Sequence, residues 1–291
     1  MTAMDLSKIN WSGVWKSEFN LNWQCQANRN LSDFWSSKEQ AFIFWKKTQE
    51  QKSFYTPILS RIPIREGEAV LDIGGGPGTI ALPLAQKGAH VTVVEPAVGI
   101  VSVLSDNIAD QGFSNIKIIH SRWEDVLPEQ LGSYDHIIAC FSLGMPDIRS
   151  SLKKMMAVSA GTIYLIWFSG VNSWDQMMKS ICTGACGMHY HESPKTNLLV
   201  LVLNEIGIYP DIIHIRQPFY EKFESIDKAV IEIEQRCGHS YPGKHEFIKQ
   251  WVFQNLISLD GFYIWNPLIT MSIVSWKTER KKEQKNHLIR A

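Results

Sequence analysis

The sequence predicts an α/β fold, doubly wound around a mostly parallel sheet, and three observations predict it. Short apolar runs alternate with helical stretches through most of the chain, the pattern of a parallel sheet buried between two helical layers. A glycine-rich turn, Gly74-Gly75-Gly76-Pro77-Gly78, follows the first of those runs. An acid, Glu95, ends the second run 17 residues beyond Gly78.

The linker from Ile62 to Glu68 leads into the first strand, near 68–73. Ala69-Val70-Leu71 is short, apolar and partly branched, as a strand covered on both faces requires. The glycines after it allow positive φ and let the backbone pass close to a ligand while the next helix begins. That helix runs from Thr79 to Gln86, and Lys87 and Gly88 end it with a cation and a C-cap glycine. Further strands are predicted at 90–95, 116–120, 134–140 and 161–168, with helices between. Beyond the fifth strand come a polar stretch from Val171 to Lys195, an apolar helix from Thr196 to Gly207 and a sixth strand from Asp211 to Ile215. An insertion over about 219–262 reads as largely helical, because Ala229–Glu234 and Phe247–Phe253 have helical spacing. Leu268 to Trp276 is a final strand.

Gly76-Pro77-Gly78-Thr79-Ile80-Ala81 also satisfies the dinucleotide fingerprint, which sets a pyrophosphate on a helix N-terminus. Charge separates the two kinds of ligand. Asp72 lies two residues ahead of the first glycine, and a carboxylate there repels a pyrophosphate at close range. A ligand carrying an ammonium and a sulfonium is favoured instead. Glu95 is placed to accept hydrogen bonds from ribose hydroxyls and serves either ligand. An ordinary tight turn, with Asp72 a helix-dipole partner, leaves the strand, the turn and both acids as coincidences.

Three segments together carry a resemblance: Asp72-Ile73-Gly74-Gly75-Gly76-Pro77-Gly78, Val93-Val94-Glu95-Pro96-Ala97, and His120-Ser121-Arg122-Trp123-Glu124-Asp125-Val126. From roughly Tyr55 to Trp276 the chain resembles the class I S-adenosylmethionine-dependent methyltransferases. The resemblance implies a seven-stranded Rossmann-like sheet whose last strand runs antiparallel beside the fifth. It implies S-adenosyl-L-methionine as donor and S-adenosyl-L-homocysteine as product, held by Asp72, Gly74, Gly75, Gly76, Gly78, Glu95, Pro96, Arg122, Trp123, Glu124 and Cys140. The third segment borders the adenine in that family, usually through an acid. Here Trp123 either stacks on the adenine or simply packs, and Glu124 or Asp125 takes the hydrogen bond. The family's N-terminal helices close over the cofactor, which makes Trp35 and Tyr55 pocket candidates. Phe141 joins them, because ligands of such sheets bind beyond the carboxyl ends of the strands. Family members that methylate exocyclic or amide nitrogens carry Asn or Asp-Pro-Pro-Tyr after the fourth strand. Cys140-Phe141-Ser142-Leu143-Gly144 stands there instead and points to a small-molecule acceptor.

At 291 residues the chain fits one elaborated domain: a helical, aromatic cap over 1–61, a cofactor-binding core over 62–277 and a charged tail over 278–291. Its 29 basic and 29 acidic residues balance, so no global field draws a nucleic acid. No run approaches the ~20 apolar residues that span a bilayer, no secretory leader opens the chain, and five cysteines make no even disulfide set. The expectation is a cytoplasmic protein with no membrane partner; the oligomeric state is not encoded in any motif. Five of the eleven tryptophans fall in the first 60 residues, either anchoring a cap or forming a lid that excludes water.

Methyl transfer from a sulfonium is an in-line displacement that asks for alignment and, for a protonated acceptor, a base. His189 and His191 are the base candidates, since imidazole titrates near neutrality. With Cys182 and Cys186 they form a cluster that admits other readings: zinc ligands joined by Cys237 and His239, a thiolate site with Cys140, or plain loop residues. The spacing matches no zinc module, and no metal is expected. The predicted function is S-adenosylmethionine-dependent methyl transfer to a small molecule. A non-catalytic S-adenosylmethionine-binding protein and an NAD-dependent oxidoreductase are the alternatives.

Overall fold

A computed structural model describes residues 8–25, 35–170, 172–186, 189–237 and 243–278. His239 and the tail from 279 onward lie outside the described residues.

Helices α1 (Trp11–Cys25), α2 (Lys38–Glu50) and α3 (Lys52–Leu59) precede β1 (Ala69–Ile73). Then follow α4 (Ala81–Gln86), β2 (His90–Glu95), α5 (Val98–Asp110), β3 (Ile116–His120), β4 (Tyr134–Cys140), α6 (Ile148–Val158) and β5 (Ser159–Phe168). Next come α7 (Ser173–Cys186), α8 (Thr196–Glu205), β6 (Asp211–Pro218), β7 (Glu221–Phe223), α9 (Ile226–Cys237) and α10 (Lys244–Asn255). Strands β8 (Ile257–Leu259), β9 (Phe262–Trp265) and β10 (Leu268–Lys277) close the described chain.

The main sheet has seven strands in the order β3-β2-β1-β4-β5-β10-β6. β1 to β5 pair in parallel, and β10 is antiparallel to both β5 and β6. Strand order reverses between β1 and β4, where an open α/β sheet offers its crevice. Val70 to Ile73 are all buried, so β1 is covered on both faces, and Asp72 is the one acid within that run. One face packs Leu71, Ile137 and Leu165 against Trp15 of α1, Leu152 of α6 and Leu199 of α8. The other packs Val70, Val91 and Ile138 against Phe54 and Ile58 of α3 and Leu84 of α4.

Two stretches differ from expectation. Residues 171–195 were expected as a polar stretch, yet Met177, Met178, Ile181 and Cys182 share one helical face. That face is buried against Ala229, Ile233, Ile248 and Val252 of α9 and α10. The insertion is not helical throughout either: β7, β9 and β8 form a separate three-stranded sheet. Its β8–β9 hairpin turns at Asp260 and Gly261, with φ of 50° and 79°. Asp-Gly at two successive positive-φ sites is the signature of a type I′ hairpin turn.

The N-terminal helices are tied across the carboxyl ends of the core strands. Trp15 is fully buried, and its Nε1–H donates to the carbonyl of Met145, beyond β4, at 2.9 Å. Ser12 N–H donates to Glu205 of α8 at 2.9 Å. α2 lies on α5, where Ala41 meets Ala97, Ile100 and Val103. A β-carbon at Gly99 would stand 2.6 Å from the Trp35 carbonyl oxygen, so glycine permits that approach. The Gln51 side chain donates to the Tyr220 carbonyl, and Lys47 pairs with Glu232, joining the N-terminal helices to the insertion.

Candidate active site

The turn after β1 is held open by conformation. Gly74, Gly76 and Gly78 adopt φ of 65°, 59° and 101°. A β-carbon on Gly74 would fall 2.5 Å from the Ser142 Cβ, and the Ser142 hydroxyl donates to the Ile73 carbonyl at 2.6 Å. The turns after β1 and β4 are therefore clasped together at the crevice. A β-carbon on Gly76 would meet nothing within 4 Å, leaving a cradle beside the turn.

Two acids underlie that cradle. Asp72 is 0% exposed, and neither carboxylate oxygen has a hydrogen-bond partner among the described residues. Burial, and then the neighbouring Glu95, push its carboxyl up to about 7. Glu95 accepts from Ala97 N–H at 3.0 Å and Gly76 N–H at 3.2 Å, while burial pushes its own carboxyl up. An orphaned buried acid, a cradle that a β-carbon would fill and a second acid at the end of β2 fit a cationic nucleoside. They do not fit a pyrophosphate.

Of the third-segment residues, Arg122 is exposed and pairs with Glu124 at 3.7 Å. Of the two readings of Trp123, stacking on the adenine and packing, the structure takes the second. Trp123 is 3% exposed, Lys154 Nζ lies 4.8 Å from its ring centroid, and its Nε1–H reaches the Ser151 carbonyl at 3.4 Å. Its ring packs in the core and has no face to give an adenine. Pro96 is exposed, and its carbonyl accepts from the ring of His120 at 3.0 Å.

Cys140 ends β4 half-buried, its thiol pushed well up by burial and then by Asp72. Phe141 follows with a φ of 54°, a left-handed conformation that is costly for a bulky residue and marks functional turns. Its ring lies 4.9 Å from that of Phe168 and 5.9 Å from that of Phe54. Phe54 in turn meets Tyr55 and Phe219 at 5.2 Å. The Tyr55 hydroxyl is pushed up by burial and then by Cys140. An aromatic wall thus stands beside the carboxyl ends of β4 and β5. Trp35 lies apart from it, its ring tilted against that of Phe44 at 4.9 Å on the α2–α5 seam.

His191 Nε2 meets Glu18 of α1 at 2.7 Å, and Asn22 donates to the His191 carbonyl at 2.6 Å. His189 is exposed, with its ring 6.5 Å from that of His191. Both border a cavity of about 470 Å³ with Glu18, Tyr190, Lys195 and Leu198. Cys182 faces the core of α7, α9 and α10, whereas Cys140 packs on the core around Phe54 and Ile166, which corrects the idea of one thiolate site. Among the described residues no three His, Cys, Asp or Glu side chains gather to hold a metal ion.

Sequence reasoning named Ser142 within the stretch after β4 but missed its clasp on Ile73, and it missed the buried trio of Asp175, Tyr190 and Lys195. Tyr190 donates to Asp175 at 3.0 Å, and Lys195 pairs with the other oxygen of the same carboxylate. These partners are 15 and 20 residues apart, at no helical or strand interval, so spacing gave no signal.

Residues 70–160 match the family model for a methyltransferase domain. That segment is similar to a methyltransferase domain, and the sheet that contains it has the class I methyltransferase fold. Its fold is similar to that of a solved Bacillus halodurans C-125 protein, with a TM-score of 0.52 and 14% identity over 79% of this chain and 99% of that one. An uncharacterized protein of Haemophilus influenzae is 30% identical over 186 residues, 63% of this chain and 62% of its own length. The 23S rRNA (uracil(1939)-C(5))-methyltransferase RlmD of Edwardsiella ictaluri is 33% identical over 72 residues, 25% of this chain and 16% of its own. The chain therefore spans less than two thirds of the length of these curated relatives. No described helix is long and apolar enough to cross a membrane.

Proposed function

We propose that this protein transfers a methyl group from S-adenosylmethionine to a small-molecule acceptor. The observation that carries the proposal is Asp72, buried without a donor under the turn from Gly74 to Gly78, with Glu95 beside it. When bound, S-adenosylmethionine supplies an electrophilic methyl on a sulfonium. Asp72 favours that positive charge, Glu95 has lone pairs left for ribose hydroxyls, and Gly76 leaves room for the ligand. Glu124 and Asp125 are the acids left to reach the adenine.

The small acceptor is supported by the wall of Phe54, Tyr55, Phe141, Phe168 and Phe219, and by α1 lying across the exit of β4. Such an enclosure suits a partly aromatic or apolar molecule and keeps water from the methyl donor. His191, held by Glu18, is the base for an acceptor that arrives protonated. RlmD acts on 23S rRNA, and its similarity to this chain extends over 72 residues, 25% of this chain.

Calorimetry tests the donor: S-adenosylmethionine and S-adenosylhomocysteine bind, and NAD does not. Binding of NAD alone would remove the proposal. The acceptor is tested by S-adenosylhomocysteine formation in cell extract. Turnover survives ribonuclease treatment and passes a small-pore filter with the metabolites. Activity that follows the RNA fraction refutes a small acceptor.

A further inference from the structure

A cavity of about 470 Å³ opens between α1 and α8, and its two ends differ in chemistry. Trp11 and Val14 of α1 and Leu198 and Leu201 of α8 make the apolar end, while Glu18 and His191 stand at the polar end. Trp11, Val14 and Glu18 recur at helical spacing, so one face of α1 serves both ends. The polar end borders the crevice of the sheet. Trp167 Nε1–H donates to the Pro194 carbonyl at 2.7 Å, and Lys195 Nζ lies 5.8 Å from the ring centroid of Phe168, which fastens this segment to the carboxyl end of β5. Phe168 packs on Phe141 at the exit of β4. From α1, the ring of Phe19, next to Glu18, lies 3.9 Å from where a β-carbon on Gly144 would stand, again just past β4.

A carboxylate only accepts, so His191 Nε2–H donates to Glu18 at 2.7 Å, and the uncharged ring keeps its lone pair on Nδ1. Nδ1 has no hydrogen-bond partner among the described residues. An uncharged amine attacks a methyl with a lone pair it already has, whereas a hydroxyl must lose its proton as it attacks. An imidazole, titrating at about 6.5, is matched to a phenol at about 10 far better than to an alkyl alcohol. Lys179 and Glu192 balance on the lining, and Lys195 is already paired with Asp175, so the cavity selects no net charge.

We propose that the acceptor is a phenol: its hydroxyl faces Nδ1 of His191, its apolar body lies between α1 and α8, and Glu18 is the positioning residue that fixes the imidazole. The proposal rests on methyl transfer from S-adenosylmethionine and deepens it by naming the acceptor atom. Nδ1 takes the phenolic proton as an oxygen lone pair forms the new O–C bond; the C–S bond breaks, and its electron pair stays on sulfur. An aryl methyl ether and a thioether leave, and the imidazolium, paired with Glu18, returns its proton to water.

The hydroxyl contact is read without any donor. In calorimetry, 2-naphthol is expected to bind the full chain about tenfold more tightly than 2-methoxynaphthalene, the margin of one hydrogen bond. His191→Leu removes that margin. Equal affinity for the two compounds, or binding of neither, overturns the proposal. Donor with an isotope-labelled methyl is then incubated with the protein and the small-molecule fraction of cell extract, and the carbon resonance of the product is expected to be that of an aryl methyl ether. A label on nitrogen, sulfur or carbon, or no transfer although the donor binds, overturns the proposal. Toward that acceptor, Glu18→Gln lowers kcat by at least about tenfold with KM unchanged, and Glu18→Asp restores most of the loss. A loss through KM alone overturns the positioning role. If the variants do not fold, the naphthol margin and the label, both read on the unaltered protein, decide. Failure of S-adenosylmethionine to bind instead removes the proposed cofactor.

Discussion

At the scale of single residues, the site is built from groups whose surroundings oppose their usual state. Asp72 is buried without a donor, Phe141 takes a left-handed φ, and Gly76 faces open space. The position and charge of Asp72 beside the glycine turn were legible in the sequence; its burial without a donor was not. Trp123 was legible only as a choice between stacking and packing, and the short 3-10 turn over Trp123–Asp125 directs its ring into the core. The clasp of Ser142 on the Ile73 carbonyl left no trace, since it spans 69 residues. Gly76→Val is expected to abolish S-adenosylmethionine binding, because the branched side chain fills the cradle and is strained at a φ of 59°. Glu95→Ala should weaken the donor by about 2 kcal/mol, or roughly thirtyfold, through loss of charge-assisted hydrogen bonds to the ribose. Calorimetry reads both, with circular dichroism as the check on folding. Unchanged affinity in either variant places the ligand elsewhere.

At the scale of elements, strands with a single environment were read well and those in mixed surroundings were not. β1 and β2 are covered on both faces and declared themselves as apolar runs. β6 is an edge strand, mostly exposed, and only its first five residues gave a strand signal. β7 and β8 have three residues each, too few for a period, and the Asp260-Gly261 turn between β8 and β9 was overlooked in a segment read as helical. α7 was hidden by its composition: Asp175, Lys179, Cys182 and Thr183 read as polar until the buried face is aligned. α1 makes a sharper test of how an element is held. Trp15→Ala removes a fully buried ring and should cost about 3–5 kcal/mol in urea denaturation. Trp15→Phe retains much of the packing and loses the bond to the Met145 carbonyl, so it should cost about 1–3 kcal/mol, the upper end reflecting the orphaned carbonyl and the smaller ring. Equal losses in the two variants would mean that the hydrogen bond, and not the ring, fixes α1 on the exit of β4.

At the scale of the whole molecule, a core read from three motifs carries additions that contact one another more than any motif foretold. α2 reaches both α5 and the insertion, α1 reaches α8 and the segment before it, and α7 joins the packing of α9 and α10. Asp175 stands where these additions meet the sheet. It is 3% exposed in the first turn of α7, capped by the Asn172 side chain, and it binds Tyr190 and Lys195. Lys195 precedes α8, where the Thr196 hydroxyl donates to the Phe168 carbonyl at 2.9 Å, and its Nζ lies 5.8 Å from the ring of Phe168. A buried pair of this kind is weak evidence for net stability, because desolvation offsets the attraction; breaking it strands a charge. Lys195→Met leaves Asp175 without its cation and should cost about 3–5 kcal/mol. Asp175→Leu in the Lys195→Met background removes the stranded charge, and most of that loss should return. If the double variant is as stable as the parent yet its turnover falls, the pair has been kept to position Phe168 and Phe141 beside the acceptor. If the double variant is no more stable than Lys195→Met alone, Tyr190 depends on the Asp175 carboxylate itself, and that single side chain ties the additions to the core.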